Sequence, residues 1–130
     1  MQVNIHLAFC TEIDGNIEKE KIDTLGNFLK TESGYIISYM EQLEDSLTAV
    51  KITITQDSVT IDRKGPCSVT FLMEENKVHS CAYSTPYGVL DMQVKATSIQ
   101  NSLTPNGGHL EISYILDMDG ETFHTLSLTI

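Results

Sequence analysis

The sequence predicts an all-β protein: an antiparallel up-and-down β-barrel of about 8–10 strands, formed by a single domain over residues 1–130. Apolar and polar residues alternate in run after run, for example along residues 3–10, 90–97 and 110–118, which is the period of a half-buried strand. The runs are joined by turns of about two to five residues, too short for the helical crossovers that a parallel sheet needs. Because a long twisted sheet curls, and because closure removes its exposed edges, we expect a barrel, with a β-sandwich as the second choice.

The first strand is predicted by Val3, Ile5, Leu7 and Phe9, which alternate with less apolar residues. Asp14-Gly15 then forms a dipeptide typical of hairpin turns. Residues 17–29 are less regular. They could form an amphipathic helix with a charged outer face, but Gly26-Asn27 interrupts that pattern and no N-cap precedes it. An extended, charged edge strand is therefore favoured over the helix.

The rest of the chain reads as strands separated by turn residues. Strand patterns start at Tyr35, Val50, Val59, Val69 and Val78, and they end before turns rich in Asp, Asn, Ser, Gly and Pro. A kink at residues 85–88 leads into the strand pattern of residues 90–97. After the loop at residues 104–108 come the alternation of residues 110–118, a second Asp-Gly turn at residues 119–120, and a last strand.

Composition excludes several classes of partner. Eighteen acidic against eight basic residues give a net charge of −10, which repels nucleic acid and anionic membrane surfaces. No apolar run approaches the roughly 20 residues of a membrane helix, and the amino terminus alternates from the start instead of resembling an export signal. We therefore expect no nucleic-acid or membrane partner.

The three cysteines indicate the cellular compartment of the protein and do not indicate a catalytic role. Cys10, Cys67 and Cys81 are odd in number and widely spaced, without a CxxC pair, which favours reduced thiols and a cytoplasmic location. Three of the four histidines fall on the expected outer faces of strands, so no metal site is predicted. With no nucleophile elbow and no phosphate-binding glycine loop, we expect neither an enzyme nor a cofactor.

Several segments resemble a known family. They are Gly26-Asn27-Phe28, residues 35–41, Val50-Lys51-Ile52, residues 59–63, Thr85-Pro86-Tyr87-Gly88 and residues 108–116, of which the Thr-Pro-Tyr-Gly segment is the most specific. In these the chain resembles the YwiB-like proteins, small uncharacterised bacterial β-barrels of the lipocalin-like (calycin) type. The resemblance implies a barrel with either a cavity or a packed interior, and it implies no catalytic residues.

A candidate ligand site follows from polar residues on otherwise apolar strand faces. Arg63 follows Val59 and Ile61, Glu41 follows Tyr39, and Tyr114 lies within a run of apolar residues. An inward arginine beside tyrosine hydroxyls could bind the anionic head of a ligand, or else Arg63 and Glu41 could pair with each other at the rim.

Two functions from different classes remain open. In the first, the interior binds a small apolar or amphipathic molecule, with Arg63, Tyr39, Glu41 and Tyr114 at its head and Ile52, Ile61, Leu90 and Met92 along its tail. In the second, the barrel is packed and its outer surface binds a protein or a second copy of the chain as a homodimer. A cavity would favour the first function, and a packed interior with an exposed apolar stripe would favour the second.

Overall fold

The structure, a computed structural model, describes the backbone of residues 1–130 and every side chain except that of Leu43. Its ten strands are β1 (Gln2–Ile13), β2 (Asn16–Lys30), β3 (Gly34–Leu43), β4 (Ser46–Thr55), β5 (Val59–Lys64), β6 (Val69–Met73), β7 (Val78–Thr85), β8 (Gly88–Asn101), β9 (His109–Asp117) and β10 (Glu121–Thr129). They form one sheet in the order β6-β5-β4-β3-β2-β1-β10-β9-β8-β7. Several strands are longer than the short ones predicted: β1, β2 and β8 have 12, 15 and 14 residues, respectively.

The sheet closes almost completely on itself. Strand β1 pairs with β10, with Leu7 opposite Leu128, and so joins the first and last strands of the sequence. The remaining gap lies between β6 and β7, where Ser68 and Ser84 exchange two backbone hydrogen bonds of 2.8 Å. The all-β, antiparallel up-and-down barrel predicted from the sequence is confirmed.

Residues 17–29, for which the sequence offers a strand or a helix, are extended within β2. Asp14 and Gly15 have φ angles of 50° and 81°, and Ile13 pairs with Asn16, as a two-residue hairpin turn of type I′ requires. The turn places β2 beside the whole of β1, so long-range pairing overrides the helical period of residues 17–29. The predicted extended strand is confirmed and the helical alternative is wrong, but β2 is not an edge strand: it lies between β3 and β1 in the sheet, although β3 pairs only with its residues 26–30. None of the described residues forms a helix long and apolar enough to cross a bilayer.

The lower part of the barrel is filled by its own side chains. Ten of its inward-facing residues are 0% exposed, and they come from eight of the ten strands: Ile5, Ile37, Ile52, Val59, Met73, Val94, Ala96, Leu110, Ile112 and Leu128. A side chain lining a void large enough for water would retain accessible surface, so no such void adjoins these residues. This part of the barrel is packed.

A β-bulge in β8 changes which residues face inward. Ala96 pairs with Tyr114, but the register then shifts so that Ser98 pairs with Ser113 and Ile99 with Ile112. Because the extra residue reverses the alternation, Ile99 joins the inner face, which strict alternation from Leu90 does not predict.

Candidate functional site

Polar side chains face inward at one end of the barrel, and we give the name polar mouth to five of them: Tyr39, Glu41, Arg63, Tyr83 and Tyr114. In an up-and-down barrel alternate strands run in the same direction, so the C-terminal ends of β3, β5, β7 and β9 meet at one rim. Each of these four strands carries members of the set near that end. The topology therefore collects polar residues that are far apart in sequence.

Arg63 and Glu41 form an ion pair inside this rim. Val50 lies directly opposite both Tyr39 and Arg63, so the arginine is on the same face as the tyrosine two strands away. Its Nη2 donates a hydrogen bond of 2.9 Å to Oε1 of Glu41. The side chains are 28% and 10% exposed, respectively, so the carboxylate is the more deeply buried partner. Of the two partners that the sequence left open for Arg63, the structure contains the internal one.

The tyrosines of the mouth are neutral hydrogen-bonding groups at physiological pH. Burial raises the pKa of Tyr39 to about 12, with Glu41 and Tyr114 adding to the rise and Arg63 opposing it. Burial also raises the pKa of Tyr114, again against the effect of Arg63. Among the described residues neither hydroxyl has a hydrogen-bond partner, yet no polar side-chain atom there is both buried and unpaired. Both hydroxyl oxygens therefore remain accessible to solvent.

A cleft of about 180 Å³ adjoins the guanidinium. Its walls are Ser46, Thr48, Arg63, Pro66, Cys67, Val69 and Tyr83. A hydrogen bond with Cys67 is the main cause of a raised pKa at Tyr83, while Arg63 acts in the opposite direction. At roughly 30 Å³ per water molecule, the cleft has the volume of about six waters, enough for a small polar group and a short apolar segment.

His124 lies behind Tyr114 and was not predicted as part of the site. The two rings stack at 5.1 Å between centroids and 12° between planes. The imidazole nitrogens are 3.3 Å from Oγ1 of Thr11 and 2.7 Å from Oγ1 of Thr122. Burial lowers the pKa of His124, so the neutral ring is favoured. This arrangement holds the Tyr114 ring in a fixed position.

The structure corrects the expected orientation of the histidines. His6 and His109 face outward, but His79 pairs with the buried Val94 and His124 with Tyr114, so two and not three lie on outer faces. The error arose because the strand at residues 78–84 has no clear apolar face.

Among the described residues, no group of three or more His, Cys, Asp or Glu could hold a metal ion.

All four residues predicted for a ligand site come together. Arg63 bonds Glu41 and lies close enough to Tyr39 and Tyr114 for its charge to affect both. The predicted tail surface is different: Ile52 and Ile61 are 0% and 5% exposed within the packed core, while Leu90 is 44% exposed near the rim. Tyr83 and His124 were missed, although His124 shares the parity of Leu126 and Leu128.

Comparisons with known proteins place the chain beside others of the same fold. Residues 5–130 match a family model described as a domain of unknown function, DUF1934. Among solved structures, the YwiB protein from Bacillus subtilis superposes with a TM-score of 0.84 at 22% sequence identity, over 98% of this chain and 89% of that one. No protein of the curated set matches. At this identity the structural match supports the fold alone.

Proposed function

The chain belongs to the DUF1934 family, whose description assigns no activity, and we propose that it is a non-enzymatic binding protein that holds a small amphipathic ligand at the polar mouth. The ligand's polar end would accept hydrogen bonds from Arg63, and its apolar part would lie against Val69 and toward Leu90. Binding would occur at the rim and not along the barrel axis.

The observation that carries this proposal is that the Arg63 guanidinium has unused hydrogen-bond donors beside a cleft. It has five N–H donors, and among the described residues Glu41 is the acceptor bonded to it. Arg63 also forms part of the wall of the 180 Å³ cleft. A half-buried guanidinium with unused donors facing a cleft can bind a second acceptor there.

Packing sets the depth of the ligand. Because the fully buried side chains below the mouth leave no void, a long tail along Ile52 would have to displace the core. Leu90, on the same face but near the rim, is accessible without any rearrangement. The proposal is thus limited to ligands with a short buried segment.

The proposal also includes that the protein is not an enzyme and that it is located in the cytosol. Burial raises the pKa of the Cys81 thiol, which disfavours the thiolate that a nucleophile requires. All three cysteines are free, in keeping with a reducing compartment.

Titration calorimetry with octanoate and octanol tests the proposal. We expect saturable binding of both to the wild type, since a neutral hydroxyl oxygen can accept from Arg63 as a carboxylate can. Glu41→Gln should tighten octanoate binding by roughly fivefold, because two unit charges about 4 Å apart in water interact by ~1 kcal/mol. Octanol affinity should not change.

The matched control is Glu32→Gln, an equal change of charge at an exposed turn outside the mouth. It should leave both affinities unaltered. If neither probe binds the wild type saturably, the proposal is wrong.

A packed interior also favours the second candidate function, an interaction module, because a filled barrel leaves its outer surface as the site of recognition. Exposed apolar side chains lie on that surface along β2 and β3, including Leu25 at 58% and Met40 at 53%.

A further inference from the structure

Strand β2 has a long edge that no other strand covers. It pairs with β1 along its length, from Asn16 to Asn27, but with β3 only from Gly26 to Lys30. The residues of β2 that precede Gly26 do not pair with β3, and the described contacts of β2 are with β1 and β3 alone. Residues 16–25 therefore form a free edge next to the point where the sheet splits.

The hydrogen-bonding pattern shows which residues present backbone groups at this edge. The N–H of Phe28 donates to the carbonyl of Met1 at 2.9 Å, which makes this a hydrogen-bonded pair. Such pairs alternate along an antiparallel ladder, and the β1–β2 register has no shift. The N–H and C=O groups that point away from β1 are consequently those of five residues: Ile17, Lys19, Lys21, Asp23 and Leu25.

These five residues have a self-complementary order. In an antiparallel pair of two such strands with Lys21 at the twofold axis, Lys19 lies opposite Asp23 of the second copy, and Ile17 lies opposite Leu25 of the second copy. Opposite charges and apolar pairs directly across a ladder both stabilise it. We propose that two copies of this chain associate through their β2 edges in this register, giving a twofold-symmetric dimer with a continuous sheet.

The apolar residues at the ends of the edge support this register. Ile17 and Leu25 are 60% and 58% exposed on a strand otherwise rich in charge, so pairing across the dimer would remove apolar surface from water. Met40, at the split in β3, is 53% exposed on the same outer face. The dimer would bring Ile17 of one copy beside Leu25 and Met40 of the other. No other register uses all of residues 17–25 without displacing β3 from Asn27.

Charged residues often protect an edge strand from association, and that is the alternative explanation of Lys19 and Lys21. A protective role predicts a monomer. The dimer instead predicts that Lys19 of one copy pairs with Asp23 of the other, so that swapping the two charges should preserve the attraction. Neither explanation involves the polar mouth, so the dimer can be tested independently of whether the mouth binds a ligand.

Sedimentation velocity over a concentration series tests the dimer by charge exchange. Lys19→Asp and Asp23→Lys should each raise the dimer dissociation constant roughly tenfold or more, since each places two like-charge pairs across the interface. The double variant Lys19→Asp/Asp23→Lys restores opposite charges and should restore the wild-type constant. Lys21→Gln should tighten the dimer, because it removes the like pair at the axis.

Lys77→Asp, which changes the net charge as Lys19→Asp does but lies outside β2, is the matched control and should leave the constant unchanged. Circular dichroism checks that each variant is folded. A wild type that stays monomeric at every concentration would overturn the inference, as would a dimer that the single charge changes do not weaken or that the double variant does not restore.

Discussion

Glu41→Gln is the substitution that measures how much the mouth depends on its own ion pair. The change keeps the shape and one acceptor but removes the negative charge beside Arg63. Exposed ion pairs contribute about 0.2–1 kcal/mol, and breaking a fully buried one costs about 3–5 kcal/mol. With the side chains 28% and 10% exposed, this pair lies between those limits. A value midway between the two limits is a loss of about 2 kcal/mol, which is what we expect for Glu41→Gln.

Urea unfolding followed by circular dichroism provides the assay, since the chain has no tryptophan to report by fluorescence. Arg63→Met should cost more than Glu41→Gln, because it leaves the more deeply buried carboxylate without a partner. The double variant should lose less stability than the sum of the two, by about the energy of the pair. Glu32→Gln should be neutral.

Two results would refute this reasoning: a Glu41→Gln protein within about 0.5 kcal/mol of the wild type, or a double-mutant cycle without coupling. Either would mean that Arg63 is stabilised by something other than Glu41. Adding octanoate should recover stability in Glu41→Gln, since a ligand that binds only the folded state raises its free energy of unfolding.

Three further predictions concern packing and titration. Gly26→Ala should lose about 1–3 kcal/mol in urea unfolding, because a Cβ there would overlap the Ser38 carbonyl oxygen, whereas Asn27→Ala on the outer face should be tolerated; equal effects would contradict this. In an alkaline absorbance titration one tyrosine should ionise at about pH 12, and this titration step should be missing in Tyr39→Phe. Because folding raises the pKa of Tyr39 from 10.0, the stability that this shift contributes is lost only as the pH rises above 10. Folding lowers the pKa of His124 from 6.5, so stability should fall as the pH drops below 6.5, and less steeply in His124→Gln; an unchanged slope would show that another group is responsible.

Most of the fold could be predicted from the sequence because the pleat imposes a period of two on every half-buried strand. Alternation placed Tyr39, Glu41, Arg63 and Tyr114 on inner faces, and the lengths of the turns excluded a parallel sheet. The four residues then had to meet, since an up-and-down barrel gathers the ends of alternate strands at one rim.

Features that depend on pairing with distant strands could not be read from local patterns. The bulge after Ala96 inserts one residue without any glycine or proline to mark it, so the inward position of Ile99 was missed. Whether the barrel was hollow or filled depends on the summed volumes of side chains from all ten strands, which no single segment contains. The free edge of β2 exists because β3 does not pair with the residues that precede Gly26, and this is a feature of the three-dimensional sheet.

Amide chemical-shift mapping of isotope-labelled protein during titration with octanoate tests the central claim, that recognition occurs at the rim of a packed barrel. The account predicts saturable shifts at Arg63, Cys67 and Tyr83, with no change at Ile5 and Leu128 in the packed part. Shifts centred on Ile5 and Leu128, or no saturable shift at all, would contradict it.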